Sequence, residues 1–153
     1  MKRIVLLVMA SCLCFCGCKQ QENSKTLLQR SFYNNTWERF DYLDKDIEIT
    51  EATSFDLSMK ISFTEDYPYD YFDFVFVVFT KDGERYRGKE YMPKLKDEEG
   101  HWSSEFIDGC YSFNLPINKE LEISDPGTYR FHIEQKMPKT PLVGVKELTL
   151  TNN

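Results

Sequence analysis

No apolar run in this chain reaches the ~18–20 residues that a helix needs to cross a bilayer, which excludes a membrane-spanning helix. Basic charge falls short of acidic charge: 19 Lys and Arg against 25 Asp and Glu give a net charge of −6 and a pI near 5.0. Phosphate binding needs the opposite balance, so nucleic acid is excluded as the main partner. Histidine, the commonest general base, occurs twice, and neither copy has a Ser or Cys at a recognisable motif spacing. There is no internal repeat, no low-complexity tract and no segment with a convincing helical period. What is there is 153 residues with 41% apolar side chains. That is the length of one domain, and too apolar for a disordered chain.

Cysteine is present but concentrated, with four of the five copies inside residues 12–18. The chain opens on the cationic Met1-Lys2-Arg3, continues through the apolar Ile4-Val5-Leu6-Leu7-Val8-Met9-Ala10, and turns polar at Lys19-Gln20-Gln21. This reads as a secretory signal peptide, and the cysteines at its border point to the lipoprotein kind, cleaved before a cysteine that receives acyl chains such as palmitate. Cys12 would leave too short a leader, and Cys14 and Cys16 follow the bulky Leu13 and Phe15. Cys18 follows Gly17 and is the predicted lipid attachment site, with 1–17 removed. The alternative is an ordinary signal cut near Ala10 or Gly17 that leaves Cys18 a free thiol. Lys19, not Asp, follows the cysteine, so no inner-membrane retention signal is present and the outer membrane of a Gram-negative cell is the predicted destination, on its periplasmic or surface side. Cleavage leaves 136 residues with 17 basic and 25 acidic side chains, a net charge of −8. Cys110 then has no partner in its own chain and reads as a small buried hydrophobe. Residues 18–31 read as the acylated cysteine and a polar tether, and 32–153 as a single domain.

Within that domain the apolar residues alternate. Phe55, Leu57, Met59, Ile61 and Phe63 mark a half-buried strand over 55–63. Residues 72–79 are apolar on both parities after Asp73, as in a central strand covered on both faces. Asp82-Gly83 supplies a hairpin turn that returns 85–92 onto 72–79. A longer turn at 96–100 precedes Trp102. Asp125-Pro126-Gly127 launches 128–137, with Tyr129, Phe131, Ile133, Gln135 and Met137 on one face, and Pro138 and Pro141 enforce a break. A last strand over 143–150 carries an irregularity near Lys146-Glu147, and weaker strands fall at 37–43, 46–50 and 110–115. Glu120–Ile123 fits one helical turn or a short edge strand. About seven or eight strands predict an antiparallel two-sheet β-sandwich, immunoglobulin-like or jelly-roll-like, with an up-and-down barrel as the alternative.

Chemical signatures are sparse. His132 lies on the polar parity beside Arg130 and Glu134, and His101 sits in an acidic turn; both read as surface residues. Asp41, Asp44, Asp46 and Glu48 could supply oxygen ligands to calcium, but lack the glycine and final glutamate of an EF-hand loop, and solvated carboxylates are the plainer reading. No cofactor is implied. Tyr67, Tyr69 and Tyr71 form an aromatic loop between two strong strands, fit either for recognition or for closing the end of a sandwich. Residues 81–96 carry six cations against three acids, and Arg85, Arg87 and Lys89 are placed on one strand face. Such a face can meet an acidic partner or anionic headgroups, or can protect an edge strand.

The order of several pieces is distinctive: Asp66-Tyr67-Pro68-Tyr69, an aromatic strand with Asp82-Gly83, Gly100-x-Trp102, then Gly127-x-Tyr129-x-Phe131-x-Ile133-x-Gln135-x-Met137, and finally Leu142-x-Gly144-Val145 with Leu148-x-Leu150. Over about residues 32–151 the chain resembles the gliding motility lipoprotein GldH family. Ser103-Ser104-Glu105 stands where that family commonly has small glycines, and Pro138 where a basic residue is expected. The resemblance implies a non-enzymatic envelope lipoprotein that binds protein partners of a gliding or related surface apparatus, with no catalytic residues to carry over. The competing reading is a carbohydrate-binding surface lipoprotein in which Tyr67, Tyr69 and Tyr71 form a stacking platform.

Overall fold

The computed structural model describes residues 24–153. The leader, Cys18 and residues 19–23 of the tether lie outside the described residues. In chain order the strands are β1 (Lys25–Ser31), β2 (Thr36–Trp37), β3 (Leu43–Ile49), β4 (Thr53–Phe63), β5 (Phe74–Thr80), β6 (Arg85–Tyr91), β7 (Phe106–Ile107), β8 (Cys110–Ile123), β9 (Gly127–Gln135), β10 (Leu142–Val143) and β11 (Val145–Asn152). Helix is confined to the 3-10 turn Tyr33–Asn35 among the described residues.

A five-stranded sheet, ordered β1-β11-β4-β8-β7, faces a four-stranded one, ordered β3-β9-β5-β6, and β2 and β10 form a two-residue ladder of their own. Eight strands have seven residues or more, and their pairing is nested. The first pairs with the last (β1 with β11), the second with the seventh (β3 with β9), the third with the sixth (β4 with β8) and the fourth with the fifth (β5 with β6). One long antiparallel hairpin rolled around a common core produces this pattern. Of the two sandwich types the sequence allowed, the chain adopts the jelly roll.

The alternating segments sit where their periodicity places them. Phe55, Leu57, Met59, Ile61 and Phe63 of β4 meet Phe74, Phe76 and Val78 of β5 and Phe131 and Ile133 of β9 in one buried cluster. The both-parity run of β5 is internal to its sheet, and Val75 and Val77 on its outer side are also buried, flanked in register by Glu134 and His132 of β9. The Asp82-Gly83 turn is a three-residue loop. Thr80 N–H donates to the Glu84 carbonyl at 2.8 Å, and only Gly83, at φ +84°, takes the left-handed conformation. The irregularity near Lys146-Glu147 is a bulge between Val145 and Glu147, against β4.

Three boundaries differ from those the sequence suggested. Lys25–Ser31, polar enough in sequence to suggest a tether, is a strand that pairs with β11 from Lys25–Asn152 to Ser31–Glu147. It satisfies the open edge of β11, and its polar residues suit an outermost strand; Leu27 and Leu28 pack against the core. A strand over 37–43 does not form. After Trp37 the chain turns, because the indole N–H donates to the Asp41 carbonyl at 2.7 Å and closes 38–41 into a loop. Beyond 115, β8 continues to Ile123, with Ile117, Leu121 and Ile123 buried and two bulges against β4, one between Pro116 and Asn118 and one between Asn118 and Leu121. Glu120–Ile123 is thus strand.

Candidate functional site

The Tyr67–Tyr71 loop lies at the end of the sandwich where β4 leaves and β5 begins. Tyr67 is 1% exposed. Its ring sits 4.4 Å from that of Phe63, and its hydroxyl donates to the Tyr71 carbonyl at 2.8 Å. Burial, reinforced by the neighbouring Tyr69 and Tyr71, pushes this hydroxyl far above the ordinary tyrosine range, so it stays protonated. Met137 completes the packing: its Sδ accepts the Asp73 N–H at 3.2 Å, and its own N–H donates to Oε1 of the buried Gln135 at 3.0 Å. Gly144 fits beneath the loop because it has no side chain. A Cβ there would stand 2.5 Å from Tyr67 N and Cα, and the residue holds φ +84°. Tyr67 therefore closes the sandwich, and Tyr69 and Tyr71, half-buried with rings 6.0 Å apart, form the outer layer of this cap. Both tryptophans belong to the same end. Trp37 stacks on Phe32 at 4.7 Å, and Trp102 stacks on Tyr111 at 4.3 Å beneath the Lys96 ammonium.

β6 does not carry its three cations on one face. The register slips between Val78 and Phe79, so that Arg87 pairs with Val78 but Arg85 pairs with Phe79. Tyr86 turns inward against Tyr129, and the Arg85 guanidinium lies over Gly88 where a Cβ would stand, on the outer face of the sheet. Arg87 and Lys89 flank the seam between the two sheets instead, opposite Lys119 of β8. The bulge reverses the alternation, which the sequence pattern alone could not register.

A third cluster escaped sequence reading. On the outer face of the four-stranded sheet, β3 and β9 set three acids against three donors. Glu48 accepts from the Thr128 hydroxyl at 3.2 Å, Asp46 from Arg130 Nε at 3.0 Å, and Asp44 lies 2.7 Å from His132 Nδ1. The Arg130 cation is held more firmly protonated by the hydrogen bond and charge of Asp46. His132 is not a free surface residue. Its side chain is 14% exposed, with Nε2 at 3.8 Å from Glu134 and its ring between Tyr42 (5.1 Å) and Phe79 (5.7 Å). Both nitrogens face carboxylates, and through Asp44 the ring ties β9 to β3. The signal that would have revealed this is the register of β3 against β9, absent from local sequence.

The carboxylates considered for calcium are engaged in the same way: Asp41 takes both its oxygens to Arg30 Nη2, at 2.7 and 2.8 Å. No group of three or more His, Cys, Asp or Glu is arranged for a metal among the described residues. His101 sits in an exposed turn, 3.5 Å from both Asp97 and Glu99. Cys110 is buried and has no disulfide partner among the described residues, with Sγ turned to the Ile107 carbonyl.

A family comparison fits these observations. The sequence model of the GldH lipoprotein family matches residues 28–151, from within β1 to within β11. The chain belongs to the GldH lipoprotein family. That membership supports a membrane-anchored envelope protein, and among the described residues no helix is long and apolar enough to cross a membrane. No curated protein matches the chain. Among solved structures, the VP2 subviral particle of infectious bursal disease virus is similar at 11% identity with a TM-score of 0.39, over 86% of this chain and 33% of that one. This GldH-family chain thus spans about a third of that VP2 chain. The long motif singled out in the sequence is now explicable as packing. Tyr129, Phe131, Ile133 and Gln135 line the buried face of β9, Met137 is buried just beyond its end, and Gly144 accommodates Tyr67.

Proposed function

We propose that this GldH-family protein is a non-enzymatic lipoprotein of the outer membrane, acylated at Cys18, that binds protein partners of a gliding or related surface apparatus. The observation that carries this reading is the family match across almost the entire folded domain. The engagement of both histidines with carboxylates supports the non-enzymatic part.

The direction of β1 supports a choice of contact surface. β1 runs toward the aromatic cap, where Ser31 pairs with Glu147, so its N-terminal end points to the opposite end of the sandwich. Only six residues, 19–24, separate Cys18 from β1, and they reach at most ~20 Å. An anchor at Cys18 then holds the end with the 81–84 and 124–126 turns near the bilayer and presents Tyr69 and Tyr71 away from it. The cap, together with Arg87 and Lys89 on the seam, is the proposed partner surface; Tyr67 holds the cap from beneath, and Arg85 belongs to the other face. The carbohydrate reading required three stacked tyrosines, and the burial of Tyr67 removes one from any platform.

Crosslinking followed by pull-down from intact envelopes tests this directly. Tyr69→Ala and Arg87→Glu variants that fold, localise normally and keep every partner would remove these surfaces from consideration. Purified domain that binds a glycan, with affinity lost on Tyr69→Ala, would overturn the protein-binding reading itself.

A further inference from the structure

We infer that the free edge of β6 receives an extended acidic segment of a partner protein by strand addition, with carboxylates at alternate positions meeting Arg87, Lys89 and Lys119. The inference deepens the partner-binding reading above and rests on it.

β6 is the terminal strand of its sheet, seven residues long, with β5 on one side only. Across the seam lies β8, whose short partner β7 pairs only at Cys110 and Tyr111, so the rest of its outer edge is open as well. The two edges cannot zip together. Pro116 has no N–H to give, and the bulges between Pro116 and Leu121 interrupt the run of β8 there. The seam is instead bridged by two tyrosine hydroxyls, Tyr86 donating to the Glu122 carbonyl at 3.0 Å and Tyr91 to the Ile117 carbonyl. Between these bridges the edge of the sandwich opens into a cavity of about 470 Å³ with Phe76 and Ile117 among its lining residues.

Charge selects the occupant. Arg87, Lys89 and Lys119 line this cavity, and none of the ion pairs formed among the described residues involves them. Three unpaired cations on a chain whose mature form carries −8 form a local positive strip. Cations on an edge strand discourage a second copy of the same edge, because like charges would lie opposite one another. They leave it open to a strand of opposite charge. Backbone pairing then supplies affinity, and alternate side chains supply selectivity.

The test uses the full mature chain and two synthetic ten-residue probes, one alternating Glu and Val, the other identical but N-methylated at alternate residues. Fluorescence anisotropy at low salt is expected to show binding of the first probe. Affinity should fall at least tenfold for the Arg87→Glu/Lys89→Glu variant, which alters exposed side chains only. Amide exchange should slow across 85–91 when the probe is bound. Equal binding of the methylated probe would show charge attraction without strand addition and overturn the inference. So would exchange protection elsewhere, or self-association of the chain through β6. If the acidic probe fails while Arg87→Glu still abolishes an envelope crosslink, strand addition is wrong and the partner reading stands. If the probe binds as described but no envelope partner depends on Arg87, the edge is competent and the partner reading fails.

Discussion

Gly144 shows how little tolerance a single position in the cap has. Its φ of +84° is strained for any side chain, and the space a Cβ would need is filled by Tyr67 backbone. Gly144 also donates its N–H to the Asn35 carbonyl and accepts from the Thr64 N–H, both at 2.8 Å, so it cannot shift without breaking both bonds. Gly144→Ala is expected to lower stability by at least ~1–3 kcal/mol in urea denaturation, from backbone strain before the steric clash is counted. In the core, Phe76 is 3% exposed and its ring sits edge-on to Phe131 at 5.6 Å. Phe76→Ala should cost ~3–5 kcal/mol by the same measurement, the ordinary cost of deleting a buried aromatic ring. Tyr67→Phe removes the hydrogen bond to the Tyr71 carbonyl and the longer contact to Met137 Sδ, and should cost ~0.5–1.5 kcal/mol. A larger loss would mean the hydroxyl holds more of the cap than these contacts.

Elements differ in how plainly the sequence announced them, and the reason is where each buries its side chains. β4, β5 and β9 contribute most of the core, so their apolar positions follow the period of a strand or fill both parities. β1 buries only part of Leu27 and Leu28, and its work is done by backbone groups that leave no trace in composition. The β6 bulge and the β3–β9 acid ladder depend on register between distant segments, as with Asp44 and His132, 88 residues apart. The aromatic cap was legible as an aromatic loop, but which tyrosine would be buried was not, since that follows from Gly144 and Met137 arriving from far along the chain. A chain beginning at residue 32 would expose the edge of β11, and it should melt lower and aggregate more readily than one beginning at residue 24. An equal melting temperature would make β1 dispensable. The 97–101 turn offers a pH test. The Asp97 carboxylate accepts N–H groups from His101 at 2.8 Å and Glu99 at 2.9 Å. The His101 bond chiefly, partly offset by desolvation, holds the Asp97 carboxyl below its ordinary range. A depressed folded value stabilises the turn above the ordinary aspartate range, and that contribution is lost as pH falls through the folded value. Protection of the Glu99 and His101 amides should therefore fall on acidification in the wild type and be absent at neutral pH in Asp97→Ala.

At the scale of the whole molecule, the N-terminal end of β1 and the cap lie at opposite ends of a jelly roll whose core strand β4 has 11 residues. At ~3.3 Å per residue that is roughly 35 Å, longer than the ~20 Å reach of the six residues between Cys18 and β1. An acylated chain should therefore keep its cap clear of the lipid. The two tryptophans report on this without any label, because Trp37 and Trp102 are the only two in the sequence and both sit in the cap. Bromine on lipid chains quenches tryptophan only at close range. The protein acylated at Cys18, bound to vesicles of brominated phosphatidylcholine, is expected to retain nearly all its tryptophan emission. An Asp82→Trp variant places an added indole at the tip of the β5–β6 turn, at the opposite end, and its emission should be quenched in part. Strong quenching of the native pair would put the cap against the membrane, reverse the proposed orientation, and remove Tyr69 and Tyr71 from the surface available to a partner.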